Sequence, residues 1–496
     1  MKRIITASLI LAMLIPFAVS CAETGNTETT ISAETEAPVG TEIVECTTEE
    51  DTQLLPGIPD YLRFDGETIK FLYWSDVENP EFFVENQTGE SVNDAIYNRN
   101  AMIEEAFGVK LEFTGTPGNF SNQKNFVNQA INSTQSGADA HDFFCGYSMT
   151  GATLMCEGVA QNLTNYEIID FEKPWWPATL ISKATIKDGI YFASGDISTN
   201  FIYMMYCCTF NKDLFADIHK SNGSVLYELV DSQQWTLDKL IEYSTDVYID
   251  ADSDGVASTG DRFGFFSCGE VHYDAFYTAS DLYTVVPAED GSVKLCGDLF
   301  SEKTQNLLEK LCAFLHTSGD AYLNTTNIFT TNQAIFTIDR AQITTKKLTG
   351  ASFAYGMLPV PKYTAEQEDY YTCMAFPFTT YVLSTASTHS EAAAATLELM
   401  AAKSYSNITP ALFEEAMKIR YADQSEDSHM FDVIRESVVI DLGRLLSSQL
   451  QNLSYKLFRD AVSDNKATGW TSSQTANQKL FNRKITDINK ALEKLG

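Results

Sequence analysis

A chain of 496 residues is too long for one ordinary core, so two or more packed units are expected. Its 44% hydrophobic and 12% aromatic content excludes a mostly disordered protein. The formal charge of −33, with no Lys/Arg cluster, excludes nucleic acid as a partner and reads as a solvated acidic surface that disfavours anionic ligands as a class.

Lys2 and Arg3 precede an apolar run from Ile4 to Val19, and Ala18-Val19-Ser20 places small residues directly before Cys21. The run is shorter than the roughly 20 residues of a membrane span, so it reads as a processing signal. Small residues before a cysteine resemble a bacterial lipobox, which implies cleavage before Cys21, a lipid on its sulfur and a membrane anchor. An ordinary secretory signal with an incidental cysteine is the alternative. Residues 22–58, rich in Thr and Glu and without Lys or Arg, form an acidic disordered tether. Cys46 lies in it. The other eight cysteines fall mostly in apolar runs, and without a C-x-x-C motif few or no disulfides are expected.

Tyr61 to Trp74 reads as the first strand, with Ile69, Phe71 and Tyr73 alternating. It ends Trp74-Ser75-Asp76, where ligands gather in a parallel α/β sheet; Trp74 is either a contact there or part of the core. Ser91 to Phe107 is a helix with Ser91 as N-cap and Gly108 as stop. Val109 to Phe113 is a strand, Phe126 to Ile131 a helix and Asp142-Phe143-Phe144 a third strand. This alternation predicts a parallel sheet. Gly146-Tyr147-Ser148-Met149-Thr150 lacks the last glycine of a nucleophile elbow, which argues against a serine hydrolase. Lys173-Pro174-Trp175-Trp176-Pro177 is an aromatic loop expected to pack on its lobe.

Gly189 to Phe215 is the central stretch. Two apolar runs flank the polar break Gly195-Asp196-Ile197-Ser198-Thr199-Asn200, as expected of two strands carrying the chain from one lobe to another. The polar break should face the cleft. Further on, Thr236 N-caps a helix bearing Leu237, Leu240, Ile241 and Tyr243. Helices are expected around Leu307–Leu315, Glu391–Ala402, Pro410–Ile419, Met430–Ser437 and at the C-terminus along Phe481, Ile485, Ile488, Leu492 and Leu495. Phe376 to Leu383 reads as a second crossing.

Asp250, Asp252, Asp254, Gly255 and Asp261 match a D-x-D-x-D-G-x5-acid loop, with the Val256 carbonyl as a further ligand and Ser258 placed for direct or water-mediated contact. Alternate carboxylates converging on one cation predict a structural Ca2+. Asp261 stands where glutamate usually gives the bidentate ligand. The loop runs into a strand at Arg262–Phe266, so it is no helix-loop-helix hand. An acidic surface turn is the alternative.

Asn93-Asp94-Ala95-Ile96-Tyr97-Asn98-Arg99-Asn100, Thr209-Phe210-Asn211-Lys212-Asp213-Leu214, Trp235-Thr236, Tyr355-Gly356-Met357-Leu358-Pro359 and Asp441-Leu442-Gly443, together with Cys21, span nearly all of the mature chain. In this order and spacing the chain resembles extracellular solute-binding lipoproteins of ABC importers, the carbohydrate-binding, family 1-like group of Gram-positive anaerobes. The resemblance implies an α/β, two-lobe periplasmic-binding-protein-like fold (type II), each lobe a sheet flanked by helices, with ligand in the cleft between them. Residues 59–196 plus 375–430 would form the first lobe, and 200–372 plus 431–496 the second with the C-terminal helices. Partners would be a small solute, most often a sugar, an ABC permease, and the membrane through the lipid on the extracellular face; the protein would act as a monomer and not as an enzyme. Position at strand ends and crossings nominates Trp74, Asp76, Tyr147, Asp196, Asn200, Arg340 and Phe376 as ligand contacts. Two other classes compete: a secreted glycoside hydrolase, which needs two carboxylates roughly 5–10 Å apart, and a ligand-sensing partner of a membrane sensor kinase.

Overall fold

Alternation of buried and half-buried positions shapes the first strand, β1 (Thr68–Trp74), as the sequence predicts, though it starts later than Tyr61. In the computed structural model, which describes residues 56–137, 140–417 and 424–495, it is central in a four-stranded sheet. It pairs in parallel with β2 (Lys110–Thr116) and β3 (Phe143–Tyr147). The expected parallel sheet is present, built by helices Ser91–Phe107 and Gln123–Ser136 as crossovers.

Chain order continues with β4 (Tyr206–Asn211), β5 (Phe263–Ser267), β6 (Val285–Pro287), β7 (Val293–Leu295), β8 (Ala321–Leu323) and β9 (Ala334–Arg340). β10 (Tyr355–Leu358), β11 (Thr372–Cys373), β12 (Thr379–Leu383) and β13 (Val438–Val439) follow. β12 returns antiparallel onto β3, giving the order β12-β3-β1-β2 in the first sheet. The second sheet has the order β10-β4-β9-β5-β8, with β4 antiparallel to both neighbours and β5 parallel to both of its own. Two small ribbons, β6-β7 and β11-β13, complete the set, and the described residues form one compact unit.

Caps explain several helix starts. Asn211 ends β4 and its Oδ1 accepts the Leu214 N–H at 2.9 Å, so strand passes directly into helix Lys212–His219. Thr236 caps helix Leu237–Ser244, as expected. Helix Ser91–Phe107 departs from expectation at its start. Its N-cap is Glu90, without a side-chain cap, and Asp94 instead reaches back to the N–H groups of Thr88 and Gly89. Its end is as predicted, because Gly108 takes the left-handed conformation at φ 67°.

The central crossing differs from two strands around a turn. The first run forms no strand but meets β12 of the first sheet through the Ala193–Tyr381 bridge and the Ser194 hydroxyl, which donates to the Thr379 carbonyl at 2.6 Å. The polar break holds a short helix, Thr199–Tyr203, and the second run is β4 of the other sheet. Gly195 ends the first pairing: at φ 145°, it brings the chain under the Trp175 carbonyl, where an added Cβ would lie 2.4 Å from that oxygen. The second crossing lies earlier than the expected Phe376–Leu383, since Thr379–Leu383 is β12 of the first sheet; Met374 to Phe378 runs beside the first crossing, with Met205 bridged to Met374 and the Ala375 N–H donating to the Met204 carbonyl. These two passages between the sheets thus run side by side.

Helix Ser390–Lys403 packs on helix Ser91–Phe107 and β12, whereas helix Gln424–Glu436 packs on β10 of the second sheet. Asp427 of that helix pairs with Lys212 at 2.8 Å. Helices Leu442–Leu445 and Trp470–Leu492 touch Met149–Cys156 of the first lobe and also the β6-β7 ribbon. The signal, Cys21 and Cys46 lie outside the described residues. The eight remaining cysteines are free thiols. Among the described residues no helix is long and apolar enough to cross a membrane.

Candidate functional site

The carboxyl ends of β1 and β3, the two crossings and the C-terminal helices meet between the lobes. Trp74 ends β1, Tyr147 ends β3 and Phe376 lies in the second crossing. Trp74 and Tyr147 meet edge to face at 5.6 Å, and Tyr147 stacks on Phe376 at 6.5 Å and 12°. Phe376 then meets Tyr455 at 4.9 Å. The guanidinium of Arg444 lies 4.0 Å over the Phe376 ring, and that of Arg459 lies 4.4 Å over Tyr455.

One carboxylate organises both cations. Asp274 accepts from Arg444 Nη1 at 2.8 Å and from Arg459 Nε at 3.0 Å, with a second contact to Arg459 Nη2. Burial opposes the Arg459 charge, yet Asp274 outweighs it and raises the pKa above the usual value. Burial likewise pushes the Tyr147 hydroxyl well up, so it stays a neutral donor. The result is a wall of apolar ring faces edged by fixed N–H and O–H groups, and it is closed in this structure: Tyr147, Tyr455 and Arg459 are buried, and the two cavities beside them measure only about 10 Å³ each. Such a surface can hold a ligand with one apolar and one hydroxylated face.

A second group spans the lobes beside it. Glu78, in the loop after β1, accepts from Arg340 Nη1 at 3.1 and 3.2 Å and from Gln342 at 2.9 Å. Arg340 ends β9, so this ion pair ties the first sheet to the second. The Glu78 and Asp339 charges override desolvation and raise the Arg340 pKa. Asn79 continues the network to Gln342 and to Asn200 of the first crossing.

Of the seven nominated residues, Trp74, Tyr147 and Phe376 therefore come together, and Asn200 and Arg340 join the neighbouring network. Five differ from the expected open cleft positions: Trp74, Tyr147, Asp196 and Asn200 are buried, and Asp76 is spent on a turn. Trp74 is buried, with its indole N–H donated to Thr379 Oγ1 at 2.8 Å, so it backs the wall from the core. Asn200 is fully buried because the carboxylate of Glu81, itself buried, gathers Ser198 Oγ, Asn200 Nδ2 and the Tyr381 hydroxyl. Burial raises the Glu81 pKa despite these donors. Asp196 points elsewhere, to Thr409 and Arg435, each at 2.7 Å. It lines a separate cavity of about 400 Å³ with Lys173, Trp176, Tyr405 and Arg435. Asp76 fastens the β2 turn, accepting from the N–H groups of Gly118 and Asn119 at 2.8 and 2.9 Å. The aromatic loop packs as expected, with Trp175 and Trp176 both donating to Glu398.

Sequence reasoning does not nominate Tyr455, Arg459, Asp274 or Glu78. The usable signal is Tyr455-x3-Arg459, a spacing that stacks both on one helix face.

In the acidic loop, the carboxylates of Asp250, Asp252 and Asp254 lie within 4.8 Å of one another. Gly255 turns at φ 75° and its N–H donates to Asp250 at 2.8 Å. Asp261 stands apart from this trio. Its two oxygens accept the N–H groups of Ala251 and Ser258 at 2.9 and 2.8 Å, closing the loop instead of offering a free bidentate ligand.

No protein-family model matches the chain, and no curated protein matches it. Solved structures do share its architecture. A cyclo/maltodextrin-binding protein complexed with maltotetraose aligns at TM-score 0.54 and 12% identity, over 87% of this chain and 97% of that one. The cyclic α-maltosyl-1,6-maltose binding protein of Arthrobacter globiformis aligns at 0.53 and 12%, over 86% and 98%. An extracellular solute-binding protein of Staphylococcus aureus in complex with maltose gives 0.52 and 11%, over 87% and 100%. The chain has the two-lobe α/β fold of these binding proteins.

Proposed function

We propose that this chain is a solute-binding protein that captures a carbohydrate between its lobes and delivers it to the permease of an ABC importer. The observation that carries this reading is the Tyr147–Phe376–Tyr455 wall, edged by Arg444 and Arg459 on Asp274, at the meeting of both sheets and both crossings. Ring faces suit the C–H face of a sugar, and the fixed donors suit its hydroxyls, which cost on the order of 1–3 kcal/mol each if buried unpaired. The fold supports it, since the structural neighbours are named as maltodextrin and maltose binders. Closure would favour a ligand that contacts both lobes, with the Glu78–Arg340 pair as one closing contact.

Fluorescence titration of the mature protein against mono- and oligosaccharides tests this. Saturable quenching without product is expected, and Tyr455→Ala should weaken it at least about tenfold, or 1.4 kcal/mol. Turnover of a panel member would replace the binder with a glycosidase. Absence of any saturable response would remove the carbohydrate reading.

Two further features belong to the same proposal. Cys21 would carry a lipid that holds the protein on the outer face of the membrane, which metabolic labelling with a fatty acid and its loss in Cys21→Ala would report. The Asp250–Asp252–Asp254 trio, with the Val256 carbonyl, would hold Ca2+ as a structural ion. Calorimetric titration of the calcium-stripped protein should show heat and a thermal shift, and neither at millimolar calcium would overturn it.

A further inference from the structure

Three donor groups outside the aromatic wall converge at the end of the second sheet. Cys268 follows β5, His272 sits one turn later, and Asp339 is the next-to-last residue of β9. Parallel pairing of β5 with β9 brings them together across about seventy residues of chain. Their ligand atoms all lie within 4.8 Å of one another.

The spacings are informative. Cys268 Sγ lies 3.8 Å from both His272 ring nitrogens, and His272 Nε2 lies 3.6 Å from Asp339 Oδ1. An N–H to carboxylate hydrogen bond falls at about 2.7–3.2 Å, so the His–Asp pair is too wide to be one. Around a tetrahedral zinc with Zn–S about 2.3 Å and Zn–N and Zn–O about 2.0 Å, the same edges are about 3.3–3.6 Å. These two edges thus lie within a few tenths of an ångström of the spacing about a shared cation, and because Sγ is equidistant from the two ring nitrogens it faces neither lone pair, so coordination through one nitrogen requires the His272 ring to turn.

The surroundings hold each donor in place. Asp339 Oδ2 accepts from Lys347 Nζ at 2.8 Å, and Oδ1, the oxygen on the His272 side, accepts the Arg340 backbone N–H at 2.7 Å, so the carboxylate is held at both oxygens and a cation would share Oδ1 with that N–H. Tyr206 walls the ring at 5.8 Å, and its hydroxyl donates to the Val271 carbonyl at 3.0 Å. His272 and Asp339 are buried, and Cys268 is half-buried, so entry lies on the Cys268 side.

We propose that Cys268, His272 and Asp339 form a site for a borderline-soft divalent cation, zinc by its donor set, with one coordination position left open. Thiolate, imidazole and carboxylate together select zinc over the hard cations that an all-oxygen loop takes. On binding, the Cys268 thiol proton leaves to solvent as the sulfur–metal bond forms. The site is independent of the carbohydrate reading and of the acidic loop.

Cobalt(II) tests it on the whole mature protein after chelator treatment. One equivalent should produce a thiolate-to-cobalt charge-transfer band, and zinc should discharge it. Cys268→Ser should abolish the band. Cys268→Ser and His272→Ala should each weaken zinc, in competition with a chromophoric chelator, by more than the roughly 10–100-fold that loss of an outer partner costs. Asp252→Asn should leave both readings unchanged. Thermal unfolding without metal checks that the variants fold. Alkylation of wild-type Cys268, mapped by mass spectrometry, supplies a reading that needs no variant: one equivalent of zinc should protect it. No band at one equivalent, zinc affinity within about threefold of wild type in Cys268→Ser, or unprotected Cys268 would each overturn the proposal.

Discussion

Glu398 offers the sharpest test of how burial is balanced in this fold. Its side chain is fully buried on helix Ser390–Lys403, and its carboxylate accepts the indole N–H of Trp175 at 3.1 Å and of Trp176 at 3.0 Å. Those donors favour the anion, but desolvation outweighs them and lifts the pKa from 4.5 to about 7. The folded state therefore binds a proton more tightly than the unfolded one. Stability falls as pH rises from about 4.5 to about 7 and is level above, because the ionised carboxylate is penalised only in the folded protein. At about 1.36 kcal/mol per pKa unit the full effect is about 3.4 kcal/mol, of which about 2.5 kcal/mol falls between pH 5 and pH 8. Urea unfolding of wild type and Glu398→Gln at both values measures it. The variant cannot ionise, and it turns an amide N–H toward one indole donor. It should therefore be less stable than wild type at pH 5 and should recover about 2.5 kcal/mol of that gap by pH 8. A gap that does not change with pH would refute the reasoning, since it would mean that the carboxylate is ionised and satisfied throughout.

Three other perturbations address the crossing, the latch and the framework. Gly195→Ala should lower stability by about 1–3 kcal/mol, because the backbone at φ 145° and the Trp175 carbonyl both resist a Cβ; a urea midpoint within error of wild type would sink that account. Arg340→Ala should raise the radius of gyration of the ligand-free protein in small-angle scattering, through loss of the Glu78 contact. The same variant should change unfolding stability by less than about 1 kcal/mol, because the pair is partly exposed. Arg99→Met should cost about 3–5 kcal/mol by thermal or urea unfolding: Arg99 is fully buried and donates to the carbonyls of Glu81 and Phe82 and to Ser404 Oγ, all of which lose a partner.

Periodicity and caps make much of the framework legible in the sequence. The β1-helix-β2-helix-β3 alternation, the left-handed stop at Gly108 and the Thr236 cap follow from local backbone preference and apolar spacing, which act over a few residues. The stretches that carry the family resemblance prove to be framework parts. Arg99 ties its helix to the Glu81-Phe82 loop, Asn211 joins strand to helix, and Trp235 donates to the Pro359 carbonyl. Asp441 caps Gly443 while gathering Thr284 and Val285. Their chemistry is capping and burial, so their order along the chain points to the fold without pointing to the ligand.

The site is less legible because its parts are distant in sequence and its choices are electrostatic. Proximity to a strand end correctly brings Tyr147 and Phe376 to one wall, yet the same rule puts Asp196 and Asn200 there. Which side chains face a cleft is decided by the partner that reaches them first: Glu81 takes Asn200, and Arg435 takes Asp196. Tyr455, Arg459 and Asp274 are joined only because helix Leu453–Ser463 lies against residues nearly two hundred positions earlier. By itself, then, the sequence determined the first three strands with the helices between them, the Gly108 stop, the Thr236 cap, the acidic loop's turn and roughly where the chain changes lobe, because local sterics and apolar spacing suffice for these. Only the tertiary structure decided which polar groups are paired inside the framework and which line the wall beside the crossings, because burial and pairing are properties of the assembled chain.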